Sequence, residues 1–183
     1  MSELNLSTLN VAPLAGAVGV EVSGVDLRAP LNAEHKTALR RVWLRYGVVF
    51  LRDQGLTSEQ FLAFARAIGT PMEYPFVNGI AGQPLIIEVK KLEHERVNFG
   101  GVWHSDTAYL DQPPMATLLL AREIPPYGGD TLFASMYAAY DALSAPMKRL
   151  LEGMTALHDG ETGEEKLRFG PFIRDERDAD ECG

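Results

Sequence analysis

The segment Gly100-Gly101-Val102-Trp103-His104-Ser105-Asp106-Thr107 holds the residues of this 183-residue chain best suited to chemistry. Laid out as a strand, it puts the side chains of His104 and Asp106 on one face and Ser105 on the other. An imidazole and a carboxylate two residues apart can occupy adjacent positions around one metal ion. They are two thirds of a two-histidine, one-carboxylate facial triad, a donor set that suits Fe(II) and leaves positions open for other molecules. The spacing alone is weak evidence, because most such pairs are solvated surface residues.

Holding the pair in place requires a sheet, and the apolar periodicity supplies its elements. Leu39, Val42, Trp43 and Tyr46 recur at helical spacing after Pro30-Leu31-Asn32, which predicts a helix with Asn32 as N-cap and Gly47 just past its end. Val48-Val49-Phe50-Leu51 reads as a short buried strand. Thr57 and Gln60 form a capping-box pattern, with Leu56 and Phe61 at staple positions. They open a helix whose expected buried stripe is Phe61, Phe64, Ala65 and Ile68, and which Gly69 ends. Strands are expected at 85–89, 115–124, 131–133 and 154–157, punctuated by Pro113-Pro114, Pro125-Pro126 and Gly128-Gly129. Between the last two lie short helices, one capped by Ser135 and one with Pro146 in its first turn. Helices first and strands later point to an α+β fold with an antiparallel sheet. By residue type alone, Thr131 is a β-branched strand residue.

Composition excludes several classes. Hydrophobic residues make up 46% and charged residues 23%, which argues against a disordered or fibrous chain. The length suits one domain. The single cysteine, Cys182, excludes an intramolecular disulfide and any multi-cysteine metal site. No apolar run approaches the roughly 20 residues of a membrane span. MSELNLSTLN lacks the basic and apolar regions of a secretory signal, so a cytoplasmic location is expected. The net charge is −8, and residues 159–183 carry nine acidic against four basic side chains. That balance offers no basic stripe for phosphates, so neither nucleic acid nor membrane is an expected partner. Periodicity stops after Asp159. Residues 1–159 are expected to hold the metal-strand part of the fold, and 160–183 to form a polar, acidic, mobile tail.

Trp103-His104-Ser105-Asp106, followed by Pro113-Pro114 and Gly128-Gly129-Asp130-Thr131-Leu132, resembles the taurine dioxygenase/TfdA (TauD/TfdA) family of Fe(II)- and 2-oxoglutarate-dependent dioxygenases. The likeness runs upstream through Gly16, Ser23-Gly24, Asp26-Leu27, Pro30-Leu31 and Val49-Phe50-Leu51-Arg52-Asp53-Gln54. Downstream it includes Ala138-Ala139-Tyr140-Asp141-Ala142-Leu143-Ser144. Ordered motifs are more specific than any one of them. The resemblance implies a double-stranded β-helix, or jelly roll, with flanking helices. It implies that His104 and Asp106 are iron ligands and that the Thr131 hydroxyl donates to a carboxylate of 2-oxoglutarate. It also implies that Thr107 meets substrate through its backbone. The implied reaction consumes 2-oxoglutarate and O2, hydroxylates a small organic acid of sulfonate or carboxylate type, and releases succinate and CO2. Tyr74 and Val77 stand where the taurine enzyme carries a substrate-holding histidine and tyrosine, which argues against taurine itself. Tyr74 and Asn98, with Phe99, are expected near the substrate. A homo-oligomer is compatible with all of this.

The family carries a second histidine ligand near the C-terminus, then an arginine for the 2-oxoglutarate carboxylate. Here no histidine follows Asp159, and Arg168, Arg174 and Arg177 stand in no such pattern. His35 falls in the first helix, His94 in a charged surface stretch, and His158 at the end of the last expected strand. The chain therefore reads as a family member lacking the C-terminal strands of the jelly roll. It is expected to bind Fe(II) weakly and not to turn over alone. Two other readings stay open: a non-catalytic remnant or binding module of the same fold, and a metal-dependent jelly-roll enzyme of the cupin type.

Overall fold

The computed structural model describes residues 9–74, 77–94, 96, 100–156 and 158. They divide into two units, residues 1–101 with 118–135, and residues 102–117 with 136–183. The expected boundary at 159/160 and the acidic tail lie outside the described residues.

The first unit is organised by a β-strand that spacing alone left unassigned. Gly19 and Gly24, at φ 97° and 91°, bracket Val20-Glu21-Val22-Ser23. Left-handed backbone is cheap only for glycine, so both turns fall there. Alternation between them buries Val20 and Val22 and leaves Glu21 at the surface side. This strand, β2 (Val20–Ser23), pairs antiparallel with β1 (Asn10–Pro13), Val11 opposite Val22. On its other edge it pairs parallel with β3 (Val49–Phe50), Val20 opposite Val49. The sheet is thus mixed, not antiparallel as expected. Parallel neighbours need a crossover, and α1 (Ala33–Tyr46) provides it. Asn32 caps α1 by accepting from the His35 N–H at 2.7 Å. Gly47, at φ 70°, ends it by donating its N–H to the Trp43 carbonyl.

The core of this unit joins both layers. Val20, Val22 and Val42 are fully buried, with Leu9, Val25, Leu27, Ala38, Leu39 and Leu56 around them. The second helix, α2 (Ser58–Ile68), opens on the expected capping box, with both reciprocal bonds present between Thr57 and Gln60. Its expected stripe at Phe61, Phe64, Ala65 and Ile68 is only half-buried. Leu62 is the residue it buries. The loops around this core converge on one side chain. Gln54 accepts from the Leu27 N–H at 2.9 Å and donates to the carbonyls of Val25 and Arg52 at 3.2 and 3.0 Å. Residues 118–135 lie on the same body. Leu120 packs against the core, Arg122 Nη1 donates to the Leu56 carbonyl at 2.6 Å, and Phe133 meets Phe50 edge to face at 6.2 Å.

In the second unit, α3 (Met136–Asp141) and α4 (Ala145–Leu151) occupy the expected short-helix positions. Ser144 caps α4, and Pro146 sits in its first turn. Lys148 ties the two together, its Nζ donating to the Asp141 carbonyl at 3.0 Å and lying 5.1 Å from the Tyr140 ring centroid. Among the described residues no helix is long and apolar enough to cross a membrane.

The later strands do not form. Among the described residues the only ladders are those of β1, β2 and β3, and 85–89, 115–124, 131–133 and 154–156 join none of them. Residue 157 lies outside the described residues. The physical reason is that periodicity predicts an extended backbone, whereas a strand also needs a second extended segment to pair its N–H and C=O groups. The extended part of the expectation is visible in burial. Pro114, Ala116, Leu118 and Leu120 are half-buried, while Met115, Thr117, Leu119 and Ala121 alternate with them as exposed residues. Leu119, Ile124 and Leu132 are about 70% exposed, so the outward face of this stretch is apolar. The described residues form a small mixed sheet with helices, not a closed jelly roll.

Candidate metal centre

His104 and Asp106 come together without the strand that was expected to align them. Residues 103–105 have no regular structure, and a turn begins at Asp106. That turn is closed by the Leu110 N–H donating to the Thr107 carbonyl at 3.1 Å. The side chains nevertheless converge, with His104 Nε2 3.1 Å from Asp106 Oδ1 and each side chain half exposed. Turn geometry replaces sheet alternation as the device that juxtaposes them.

The outer atoms of both groups are tied. His104 Nδ1 lies 2.7 Å from the Val102 carbonyl. A carbonyl only accepts, so Nδ1 carries the hydrogen and the Nε2 lone pair is left for another partner. On the other side, the Thr117 hydroxyl donates to Asp106 Oδ2 at 2.6 Å, leaving Oδ1 to face the imidazole. With the ring neutral, two acceptor atoms face one another. A proton or a metal ion between them relieves the repulsion. The spacing suits a metal, because two ligands about 2.1 Å from an ion at right angles lie about 3.0 Å apart. Among the described residues, no group of three or more His, Cys, Asp and Glu side chains forms a fuller set.

The other candidates are placed as follows. Thr107, next to Asp106, is buried at 8% exposure, and its Oγ1 has no hydrogen-bond partner among the described residues. Its φ of 48° is left-handed, a conformation that costs a non-glycine residue about 1–3 kcal/mol. Thr131 belongs to the first unit, exposed and just past the Gly128-Gly129 turn, whose φ angles are 77° and 72°. It is not in a strand, because no segment among the described residues pairs with it. Tyr74 and Val77 line one open cleft of about 240 Å³ with Glu73, Asn78, Gly79 and Ile80. Asn98 and Phe99 lie outside the described residues. Sequence reasoning missed Thr117 and the Val102 carbonyl. Eleven residues separate Thr117 from Asp106, and a backbone carbonyl has no residue signature, so neither left a local signal. The one available hint was that Met115, Thr117 and Leu119 share a face.

A histidine–aspartate donor pair defines a candidate mononuclear metal site, and comparison with known proteins specifies the class. Residues 10–182 match the family described as taurine catabolism dioxygenase TauD, TfdA family, and the chain belongs to that family. It is 32% identical over 154 residues to an alpha-ketoglutarate-dependent sulfate ester dioxygenase of Pseudomonas putida, covering 84% of this chain and 50% of that protein. A taurine dioxygenase structure from Burkholderia xenovorans superposes with a TM-score of 0.69 at 35% identity, over 80% of this chain and 51% of that one. The structure of AAD-2 in complex with Mn(II) and N-oxalylglycine superposes with a TM-score of 0.58 at 30% identity, over 79% of this chain and 50% of the other. The chain spans about half the length of the relatives it matches.

Proposed function

We propose that the protein is an Fe(II)- and 2-oxoglutarate-dependent dioxygenase that hydroxylates a small organic acid of sulfonate or carboxylate type and releases succinate and CO2. The observation that carries this reading is the convergence of His104 Nε2 and Asp106 Oδ1 at 3.1 Å, with the far atom of each side chain already engaged. Family membership supports the choice of iron over other metals. The complex of AAD-2 supports the co-substrate, since N-oxalylglycine differs from 2-oxoglutarate by an NH in place of a CH2. When bound, the iron supplies the oxidising chemistry, which no side chain of this protein can provide. The chain's own residues bind and orient. His104 and Asp106 hold the ion, and the Thr131 hydroxyl donates to a carboxylate of 2-oxoglutarate. Thr107, Tyr74 and Asn98 contact the organic acid.

A second reading, a non-catalytic binding module of the same fold, draws on the half-length match and on the two-donor site of the described residues. One experiment separates them. The protein is titrated anaerobically with Fe(II) and 2-oxoglutarate while the visible charge-transfer band of the chelate is followed, then exposed to O2 with a panel of sulfonates and carboxylates while succinate is measured. A band and succinate that both vanish in His104→Ala support the enzyme. A His104-dependent band without succinate supports the binding module and matches the expectation that this chain does not turn over alone. Absence of any His104-dependent signal overturns both.

A further inference from the structure

We infer that Thr117 is a positioning residue for the metal centre: its hydroxyl locks the Asp106 carboxylate so that Oδ1 alone is presented beside His104 Nε2. The inference rests on the metal reading above and adds to it a residue outside the His-x-Asp motif. A free aspartate carboxylate rotates about its last torsion and can offer a metal one oxygen or both. Here Oδ2 is held at 2.6 Å by the Thr117 hydroxyl, the short distance of a charge-assisted bond. Rotation would break that bond, so the second oxygen is withheld from the ion. The carboxylate then fills one coordination position, and the position that a bidentate carboxylate covers stays open for a bound molecule. His104 is held in the same manner, its Nδ1–H donating to the Val102 carbonyl at 2.7 Å. Both donors are therefore fixed by a partner on the side away from the metal, the arrangement by which outer contacts set ligand orientation.

The bond to Thr117 is not an incidental feature of the turn. The turn is closed by its own backbone bond from Leu110 to Thr107, and Thr117 is exposed, in a stretch with no ladder partner among the described residues. Because Thr117 is exposed, loss of the hydroxyl removes the contact to Asp106 without emptying a buried position.

The test is Mn(II) binding, followed by the electron paramagnetic resonance signal of free Mn(II), in the unaltered protein, Thr117→Val and Thr117→Ser. Thermal unfolding of each metal-free protein is recorded alongside. Valine keeps the shape without the donor and is expected to weaken binding by about 10–100-fold, with metal-free stability nearly unchanged. Serine restores the donor and is expected to bind within about threefold of the unaltered protein. Equal binding by the valine variant and the unaltered protein would overturn the role of Thr117 while leaving the metal reading intact. Should the valine variant fail to fold, a serine variant that binds as weakly as a donor-free site would overturn it instead. Absence of His104-dependent binding in the unaltered protein would overturn both the metal reading and this inference.

Discussion

Replacing Asp106 by asparagine isolates the chemistry of the site from its shape. The two side chains are nearly isosteric, and Asp106 is half exposed, so the fold is expected to tolerate the change. The consequence for a metal follows from where each oxygen points. If the amide oxygen keeps the 2.6 Å bond from Thr117, the amide NH2 faces His104 Nε2 across the 3.1 Å gap. It then donates to the lone pair that the metal needs. If the amide is flipped, the Thr117 hydroxyl must rotate to accept, and a neutral oxygen replaces an anionic one at the metal position. Either orientation removes a charged ligand from a two-donor site. Loss of an outer-shell partner alone typically weakens metal binding by about 10–100-fold, so loss of the ligand is expected to cost at least about 100-fold, or about 2.8 kcal/mol. Mn(II) titration of the unaltered and D106N proteins measures the ratio, and circular dichroism with thermal unfolding checks that the fold persists. A dissociation constant within threefold of the unaltered protein, in a folded variant, would refute the assignment of Asp106 as a ligand.

Two further outcomes concern the stability of the first unit. Gln54→Leu strips partners from the Leu27 N–H and from two carbonyls. It is expected to destabilise the protein by about 2–4 kcal/mol, since each unmet buried group costs about 1–3 kcal/mol, and the contacts to Leu27 and Val25 are partly buried while that to Arg52 is exposed; urea unfolding monitored by tryptophan fluorescence would show the shift, and a loss below about 1 kcal/mol would contradict it. Thr57→Ala removes the oxygen that accepts from the Gln60 N–H at 3.2 Å. The expected loss is about 1 kcal/mol by the same measurement, with no change in Mn(II) affinity.

Local chemistry was legible in the residues wherever the relevant partner lies a few positions away. Asn32 and Gly47 bracket α1, and Thr57 with Gln60 opens α2, because capping bonds span three or four residues and use characteristic side chains. The pairing of His104 with Asp106 was also legible, although the reason given for it was not the one the structure uses. Spacing predicted a strand, and a turn brings the same two side chains together. β2 could have been read from Val20-Glu21-Val22-Ser23 between two glycines, since that is a period-two pattern with turn residues at both ends.

What the tertiary structure decided is everything that depends on a distant partner. Apolar alternation from Met115 onward put alternate residues inward, but whether such a segment becomes a strand depends on another segment alongside it. Among the described residues none pairs with that stretch in a ladder. The same distinction separates the two halves of the candidate metal centre. Its donors are neighbours in sequence and so were visible as a motif. The Thr117 hydroxyl that fixes one of them is eleven residues away, and the Val102 carbonyl that fixes the other belongs to the backbone, which every residue shares. A sequence states which atoms can bind a metal. Only the folded chain settles which of their lone pairs are already taken.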